Sequence, residues 1–381
     1  MIHHAPAPNN GPPRQTQETR GPIVVAVSGG SDSVALLYWL VENLPDRDLH
    51  VVTVDHRLRA ASRLEAVEVA RLCEKLGLPH TTLVWTRPNS TAANAARETR
   101  YTLMHELARK LGSDIIALGH TLDDQAETVL MRALRTRQNS DTRGLSGMSE
   151  WSSFHGVRLW RPLLKLGRDS LRHQLQEKNI GWIDDPTNLD EKYERVRARK
   201  ALTQTASTFP APPSIARLAE LCARSRYWLS KQVAACLTSQ ARRLPDGGLQ
   251  LSTPQDLPLP VLREAIVTLI LAAGGLAFRV QSSKLDAIVQ HLRSGAVARH
   301  TLGRCLIITR TGQLEIEREM RNLPLLPDEI CEATSCDGRW LLQPGVSGGN
   351  YEKLPYICAL EAFRPDFDDP IYAAVVNLLN A

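Results

Sequence analysis

Residues 23 to 134 alternate between short apolar runs and longer segments in which apolar positions recur every three or four residues. The short runs have the length of buried strands, and the longer spacing is that of an amphipathic helix. Strands are predicted at residues 23–27, 50–54, 81–85 and 114–118. Helices are expected from about residue 63, where Ser62 and Glu65 form a capping box, and from about residue 91 to residue 111. This alternation predicts an α/β fold, with a parallel sheet covered by helices on both faces.

The remainder of the chain is dominated by helical periodicity. Helices are predicted at residues 168–179, 193–202, 214–240, 259–273 and 281–293, and a hairpin at 303–309 and 314–318. The Pro-rich segment 209–213 is the expected boundary between domains. We therefore predict a disordered tail over 1–21, an α/β domain over 22–208, a mainly helical accessory domain over 214–319, and a short C-terminal remnant over 320–381 with a terminal helix near 370–380.

Composition narrows the classes of function. The chain has 381 residues, of which 43% are hydrophobic, and a net charge of +5. No apolar stretch reaches the roughly 18 residues of a membrane helix, and residues 1–21 fit neither a secretory signal nor a transit peptide. The seven cysteines are scattered without a Cys-x-x-Cys pair, which is typical of thiols in a reducing cytosol and gives no support for a zinc or iron–sulfur site. We expect a soluble, cytoplasmic protein.

A Gly-rich turn, Ser28-Gly29-Gly30-Ser31-Asp32-Ser33, follows the first predicted strand. The helix after it begins with amide groups that have no partner inside the helix and lie at the positive end of its dipole, so they bind an anion such as a phosphate. The Walker A pattern is absent, and no lysine follows the glycines. A carboxylate such as Asp32 among phosphates indicates a Mg²⁺ ion between them. The alternative is that these residues only cap a strand-to-helix turn.

An acidic helix start, Gly119-His120-Thr121-Leu122-Asp123-Asp124-Gln125-Ala126-Glu127, follows the fourth predicted strand. Asp123 and Asp124 lie four and three positions before Glu127, so both share a helix face with it. In open parallel sheets ligands bind outside the carboxyl ends of the strands, where this helix and the Gly-rich turn both begin. The acids are expected to face bound phosphates through Mg²⁺ or to receive a cationic substrate. The alternative is ordinary capping on a solvated face.

Seven motifs, in order, resemble those of the tRNA-Ile lysidine synthetases, a family of PP-loop N-type ATP pyrophosphatases. They are SGGSDS at 28–33, VDHRLR at 54–59, NAARExRY at 94–101, GHTLDDQAETVLMR at 119–132, RGLxGM at 143–148, RPL at 161–163, and DPTN at 185–188 followed by Tyr193, Glu194 and Arg195. The resemblance implies a PP-loop domain of the adenine nucleotide alpha hydrolase-like, Rossmann-like fold, followed by an accessory domain that contacts tRNA. The chain departs from the family pattern at Val196, where Asn is usual, and in a shorter C-terminal part.

The resemblance also implies a reaction. Members of the family are ligases that use ATP to join lysine to carbon 2 of the wobble cytidine of an isoleucine tRNA with a CAU anticodon, through an adenylated tRNA, giving lysidine, AMP and pyrophosphate. The implied cofactors are ATP and Mg²⁺, and the implied partners are tRNA and L-lysine. Two alternatives stay open. A tRNA thiolation enzyme on the same fold is opposed by the missing cysteine pairs, and a catalytically inactive tRNA-binding protein is opposed by the retained acids.

Individual roles follow from the same resemblance. ATP is expected at Ser28, Gly29, Gly30, Ser31, Asp32 and Ser33. Asp32, with Asp124 or Asp123, is expected to hold Mg²⁺, and Asp124 or Glu127 is expected to bind the lysine ammonium. His120 or one of the carboxylates is expected to accept a proton from the lysine amine. Phosphate contacts to tRNA are expected from Arg97, Arg100, Arg132, Arg161, Arg195 and Arg199, for each of which a solvated helix face is the alternative.

Overall fold

In the computed structural model, the chain divides into two compact units, Met1–Ala223 and Arg224–Ala381. The residues that the structure describes are 21–55, 57, 61–85, 93–136, 142–154, 157–184, 190–204, 211–252, 257–276, 280, 282–319, 334–336, 340–342 and 369–380. The expected tail over 1–21 lies almost entirely outside them, as does the motif at 185–188. Over these residues, no helix combines the length and the apolar character needed to cross a membrane.

The first unit is built on a six-stranded sheet. Its strands are β1 (Ile23–Ala26), β2 (Leu49–Asp55), β3 (His80–Val84), β4 (Ile115–Leu118), β5 (Trp151–Phe154) and β6 (Val157–Trp160). Its helices are α1 (Ser31–Asn43), α2 (Ala61–Leu76), α3 (Ala93–Lys110), α4 (Leu122–Thr136), α5 (Arg168–Glu177) and α6 (Glu194–Gln204), with the start of α7 (Pro212–Gln240). The predicted α/β fold is confirmed, and each of the four predicted strands lies within one residue of its prediction.

The order of the strands decides where ligands can bind. The order is β3-β2-β1-β4-β6-β5; β5 is antiparallel to its neighbour β6, and the other strand pairs are parallel. Chain order therefore reverses between β1 and β4, and in open α/β sheets the crevice at such a switch point is the ligand site. Residues of β1 face apolar clusters on both sides of the sheet, since Val25 packs with α1 and Val24 packs with α3. Burial on both faces explains why the central strands β1 and β4 are uninterrupted apolar runs.

The predicted capping box at the start of α2 is wrong. The helix begins at Ala61, so Ser62 lies inside its first turn. The Ser62 hydroxyl donates instead to Asp55 Oδ1 at the end of β2, over 2.6 Å. The same carboxylate oxygen accepts the amide of Arg57 at 2.9 Å. The Ser62 hydroxyl is thus bound to the carboxylate at the end of the preceding strand, a contact that no local sequence pattern indicates.

The second unit contains more strand than its sequence predicts. Its helices after α7 are α8 (Leu259–Gly274), α9 (Ser282–Ser294) and α10 (Pro370–Asn380), and its strands are β7 (Ala241–Arg243), β8 (Leu249–Ser252), β9 (Ala298–Leu302), β10 (Cys305–Arg310), β11 (Gln313–Arg318), β12 (Thr334–Cys336) and β13 (Trp340–Leu342). The predicted helices, the hairpin β10–β11 and the terminal helix are confirmed. The sheet β7-β8-β11-β10-β9 adds three antiparallel strands to that hairpin. Helix α8 is buried on nearly every side because it packs in the centre of this unit.

Candidate active site

The two predicted ligand loops meet at the switch point between β1 and β4. Gly119, which follows β4, lies so close to the start of α1 that a Cβ atom there would be 2.9 Å from the Asp32 carbonyl oxygen and 3.1 Å from Ser33 Cα. Such distances leave no room for a side chain. The glycine therefore lets the acidic helix start approach the Gly-rich turn directly, as the sheet order requires.

The Gly-rich turn is stabilised from within. Gly29 has a φ of +91°, which favours glycine, and a Cβ atom on it would meet Ile183 Cδ1 at 2.7 Å. The Ser33 hydroxyl donates to Gly30 O at 2.9 Å and accepts the amide of Ser28 at 3.1 Å. Gly30 is the N-cap of α1 and makes no side-chain cap bond. The amide of Ser33 donates to Gly30 O at 3.0 Å, so the amides before it, those of Ser31 and Asp32, are the ones that fit an anion.

The capping alternative for the acidic helix is correct for one oxygen of Asp124. Its Oδ2 accepts the Thr121 amide at 2.8 Å and the Thr121 hydroxyl at 3.1 Å, while the Asp124 amide donates back to the Thr121 hydroxyl at 3.4 Å. This is a capping box with aspartate in place of glutamate. The other oxygen, Oδ1, is turned toward two guanidinium groups. Asp124 thus caps its helix and also faces the site.

Arg168, the first residue of α5, connects the acids of both loops. Its guanidinium donates to Asp32 Oδ2 at 2.9 Å, to Asp124 Oδ1 at 3.0 Å and to Glu127 Oε1 at 3.4 Å. Its backbone amide donates to Asp123 Oδ2 at 2.7 Å, so Asp123 caps the N-terminus of α5. The side chain of Arg168 is only 13% exposed. One arginine therefore bridges the Gly-rich turn and the acidic helix.

Two further arginines, from α6, contact Glu127, whose side chain is 1% exposed. Arg195 donates to Glu127 Oε2 at 2.7 Å and to Asp124 Oδ1 at 3.0 Å. Arg199 donates to Glu127 Oε1 at 2.7 Å. Both arginines are about one-third exposed, at 36% and 34%. Arg195 and Arg199 were predicted to contact tRNA, and in this structure they are held in place by acids that were predicted to be catalytic.

The electrostatics of the cluster favour charged arginines. Burial raises the pKa of Asp32, and the attraction of Arg168 offsets this only in part. Burial lowers the pKa of Arg168, but the nearby carboxylates of Asp124 and Asp32 outweigh it and raise the pKa overall. The pKa of Arg195 is raised in the same way, by Asp124 and Glu127 against burial. The guanidinium groups stay protonated at any working pH.

The remaining predicted residues lie outside the cluster of acids and arginines just described. His120 is half-buried and its amide donates to Leu118 O at 3.0 Å, so its predicted part as a base stays a prediction. Arg132 donates to Gly147 O at 2.8 Å, and Arg161, at 6% exposure, donates to Ser149 O at 2.9 Å. These two guanidiniums stabilise the segment from Gly144 to the start of β5. Arg100 lies 5.6 Å from the Tyr101 ring, and the side chain of Arg97 is outside the described residues.

The sequence motifs do not point to Arg168, whose central position depends on the tertiary structure. One signal was available. The first turn of a helix disfavours a cation because of the dipole, so an arginine there indicates a carboxylate partner elsewhere in the fold. Arg172, one turn later, is a second site residue that the motifs do not mark. It donates to the Ser31 hydroxyl at 3.1 Å and lies 5.9 Å from the Trp182 ring, beside the Gly-rich turn.

The chemistry of the acids fits Mg²⁺. Carboxylate oxygens are hard ligands, and Mg²⁺ commonly takes one or two of them together with phosphate oxygens and water. Asp32 is suited to this role because its side chain is 22% exposed at the start of α1. Within the described ranges, no group of three or more His, Cys, Asp or Glu side chains is arranged to hold a metal. The protein would thus supply part of the coordination and a bound phosphate the rest.

Comparison with known proteins agrees with this geometry. The PP-loop domain family model matches residues 10–206. The tRNA(Ile)-lysidine synthase of Mesorhizobium japonicum is 39% identical over 332 residues, which cover 83% of this chain and 71% of that protein. The tRNA(Ile)-lysidine synthase of Ruegeria pomeroyi is 37% identical over 344 residues, covering 87% of this chain and 78% of that one.

Among solved structures, the U34-tRNA thiolase NcsA from Methanococcus maripaludis with its 4Fe-4S cluster aligns at a TM-score of 0.46 and 18% identity, covering 55% of this chain and 75% of that one. A likeness this distant carries no argument about function. Family membership is shown by the sequence identity along the chain and by the family model. The chain therefore belongs to the PP-loop domain family and, within it, to the tRNA(Ile)-lysidine synthases.

Proposed function

We propose that this protein uses ATP to join lysine to carbon 2 of the wobble cytidine in the CAU-anticodon isoleucine tRNA, releasing AMP and pyrophosphate. The observation that carries the proposal is the meeting of the Gly-rich turn and the acidic helix at one switch point, bridged by Arg168. A phosphate site beside clustered acids and arginines suits a reaction that joins an anionic nucleotide to a cationic amine. Because the substrate is a tRNA, we place the reaction in the cytoplasm.

The Gly-rich turn would hold the leaving pyrophosphate. The oxygen on carbon 2 of cytosine is a poor leaving group, and its attack on the α-phosphorus of ATP converts it into part of AMP, which departs readily. Negative charge then develops on the pyrophosphate, above the first amides of α1. Donors fixed in advance at that place stabilise the transition state more than the ground state. Mg²⁺ would be held by Asp32, together with Asp123 or Asp124 and phosphate oxygens, and would supply further positive charge there.

The acidic helix would bind lysine. The ammonium needs carboxylate partners, and Asp124 and Glu127 are the buried candidates. Both already accept hydrogen bonds from arginines, so lysine must share or replace one of those donors. The amine attacks only when neutral, although its unperturbed pKa is near 10.4. His120 or one of the carboxylates takes that proton.

The decisive measurement is the incorporation of labelled lysine into an isoleucine tRNA transcript with a CAU anticodon. The complete reaction contains ATP and Mg²⁺, and the control transcript carries a different wobble base. We expect incorporation that depends on ATP and is absent from the control transcript. A folded sample that binds the transcript but incorporates no lysine would contradict the proposal.

Replacement of Asp32 by alanine tests the assigned phosphate and metal site. We expect lysine transfer to be abolished while the affinity for tRNA stays within about twofold, because Asp32 contacts Arg168 and Ser31 and not the arginines expected to reach RNA. Asp46→Ala, an exposed acid of the same unit, is the matched control and should leave both unchanged. A large loss of tRNA affinity in D32A would oppose the assignment.

The domain limits belong to the same proposal. We assign residues 22–208 to catalysis and residues 214–319 to an accessory domain that contacts tRNA. Arg195 and Arg199, one-third exposed at the edge of the acid cluster, are the arginines best placed to reach RNA phosphates from the catalytic domain.

A further inference from the structure

Helix α7 carries an exposed face of aromatic and cationic side chains within the second unit. This α7 face consists of Arg224, Tyr227, Trp228 and Lys231. Their spacing of three and four residues places them on one side of the helix. The Trp228 side chain is 63% exposed and that of Tyr227 is 46% exposed. Two large rings beside each other in solvent mark a surface that contacts another molecule.

The rest of the helix shows that this face points away from the core of its own unit. Val233 and Leu237 are fully buried in the apolar cluster of that unit. At 100° per residue, these positions lie on the side of α7 opposite to Trp228 and Lys231. The two exposed rings therefore do not belong to the edge of the hydrophobic core of this unit.

The α7 face is also strongly basic. The Lys231 ammonium lies 5.0 Å from the Tyr227 ring centroid and 5.5 Å from that of Trp228. Residues 221–245 include five Lys and Arg residues and no Asp or Glu. The nearest acids along the chain are Glu220, one turn before Arg224, and Asp246, so cations outnumber carboxylates on this part of the helix and favour a polyanion.

We propose that the α7 face binds RNA, with the Trp228 ring stacked on an exposed base and Lys231 on a neighbouring phosphate. Stacking on aromatic side chains and contact with phosphates through cations are the usual means of holding unpaired nucleotides. The centre of a protein–protein interface is instead depleted of charge, whereas here a cation lies over both rings. The proposal rests on the proposed function in one respect, because the RNA is taken to be the substrate tRNA.

The test measures binding of a fluorescently labelled CAU isoleucine tRNA to the full chain by anisotropy. Trp228→Ala should raise Kd about five- to a hundredfold, as expected for the loss of one stacked base. Trp228→Phe should retain most of the affinity, whereas Trp228→Leu should not, because leucine keeps apolar area without an aromatic ring. Val297→Ala, another exposed apolar residue of this unit, is the matched control and should bind as the wild type does.

Salt dependence tests the phosphate contact. Lys231→Gln should lower the slope of log K against log salt by about 0.7 to 0.9, the value for one lost phosphate contact. Lys284→Gln, which removes the same charge from exposed helix α9, should leave the slope unchanged. Equal slopes for both lysine variants would overturn the phosphate contact.

Other occupants of the α7 face give different results. An unchanged tRNA Kd in W228A, with folding verified by circular dichroism, overturns the proposal. So does a W228L protein that binds as tightly as W228F, since apolar docking then suffices. Loss of an oligomer in W228A by light scattering, at constant tRNA Kd, would assign the face to a second copy of the chain.

The failure of the proposed function is distinguishable from the failure of this inference. In W228A, lysine incorporation at saturating tRNA should equal that of the wild type, and only KM for tRNA should rise. A wild-type protein that binds tRNA through Trp228 but incorporates no lysine contradicts the proposed function and supports the α7 face. A wild type that incorporates lysine, with W228A unchanged in KM for tRNA, contradicts the α7 face alone.

Discussion

Replacing Arg168 with methionine removes the group that connects the Gly-rich turn with the acidic helix. The guanidinium contacts Asp32, Asp124 and Glu127 at 2.9, 3.0 and 3.4 Å. Methionine is unbranched and similar in length, so it keeps much of the aliphatic packing. The variant therefore reports mainly on the lost charge and hydrogen bonds.

The expected loss of stability depends on which partners each carboxylate keeps in the variant. Removing one partner of a buried ion pair costs about 3 to 5 kcal/mol. Arg195 remains on Asp124 at 3.0 Å and on Glu127 at 2.7 Å, so these two acids stay paired. Of its partners in this cluster, Asp32 keeps the Ser31 hydroxyl, which donates to it at 3.2 Å. We therefore expect a loss at the lower end, about 3 kcal/mol of the free energy of unfolding.

Urea unfolding followed by circular dichroism measures the loss, and hydrogen exchange of peptides from α1 and α4 assigns it to the first unit. Arg71→Met is the matched control, because Arg71 pairs with Glu68 where both side chains are more than half exposed. We expect the control to cost no more than about 0.5 kcal/mol. Arg168→Lys should recover only part of the loss, since an ammonium cannot span three carboxylates as a planar guanidinium does.

Two results would refute this reasoning. Equal losses in R168M and R71M would show that the bridge does not stabilise the fold. The second test is a double-mutant cycle with Asp32→Asn, in which the cost of R168M should fall because the least compensated charge has been removed. A coupling below about 0.5 kcal/mol would place the contribution of Arg168 elsewhere.

Gly119→Ala should reduce ATP affinity at least about tenfold in titration calorimetry, because its Cβ atom would lie 2.9 Å from the Asp32 carbonyl oxygen. Gly181→Ala, with nothing within 4 Å, should be neutral, and equal effects would contradict the close approach. Arg161→Met should lower the free energy of unfolding in urea by about 2 kcal/mol and leave the affinity for tRNA unchanged. A weaker complex with tRNA would show that Arg161 contacts the RNA. Burial, together with His50, lowers the pKa of His80, so the folded chain keeps it neutral while the unfolded chain is protonated below about pH 6.5. Urea midpoints should therefore fall from pH 7 to pH 5 in the wild type and fall less in His80→Gln, and identical slopes would exclude His80 as the cause.

Most secondary structure of the first unit was predictable because its signals are local. The strands β1 and β4 are continuous apolar runs, each followed by Gly-containing residues, and β2 and β3 are rich in the β-branched residues that favour strands. In the second unit the strands β7, β8 and β9 were missed. They are short, and β7 and β9 each carry two adjacent Arg or His residues in place of an alternating apolar pattern, so their place in the sheet is a property of the sheet and not of each segment.

The fold class, the Gly-rich turn and the acidic helix could be predicted from local sequence, because glycines, helix starts and charge spacing act over a few residues. Which acid contacts which arginine depends on the tertiary structure. Arg168 is 136 residues from Asp32 in the chain and 44 from Asp124, yet one guanidinium contacts both. That contact depends on the order of β1 and β4 in the sheet and on where α5 begins. Strand order and helix docking come from burying apolar faces across the whole unit, so no local pattern could have specified the charge network of the site.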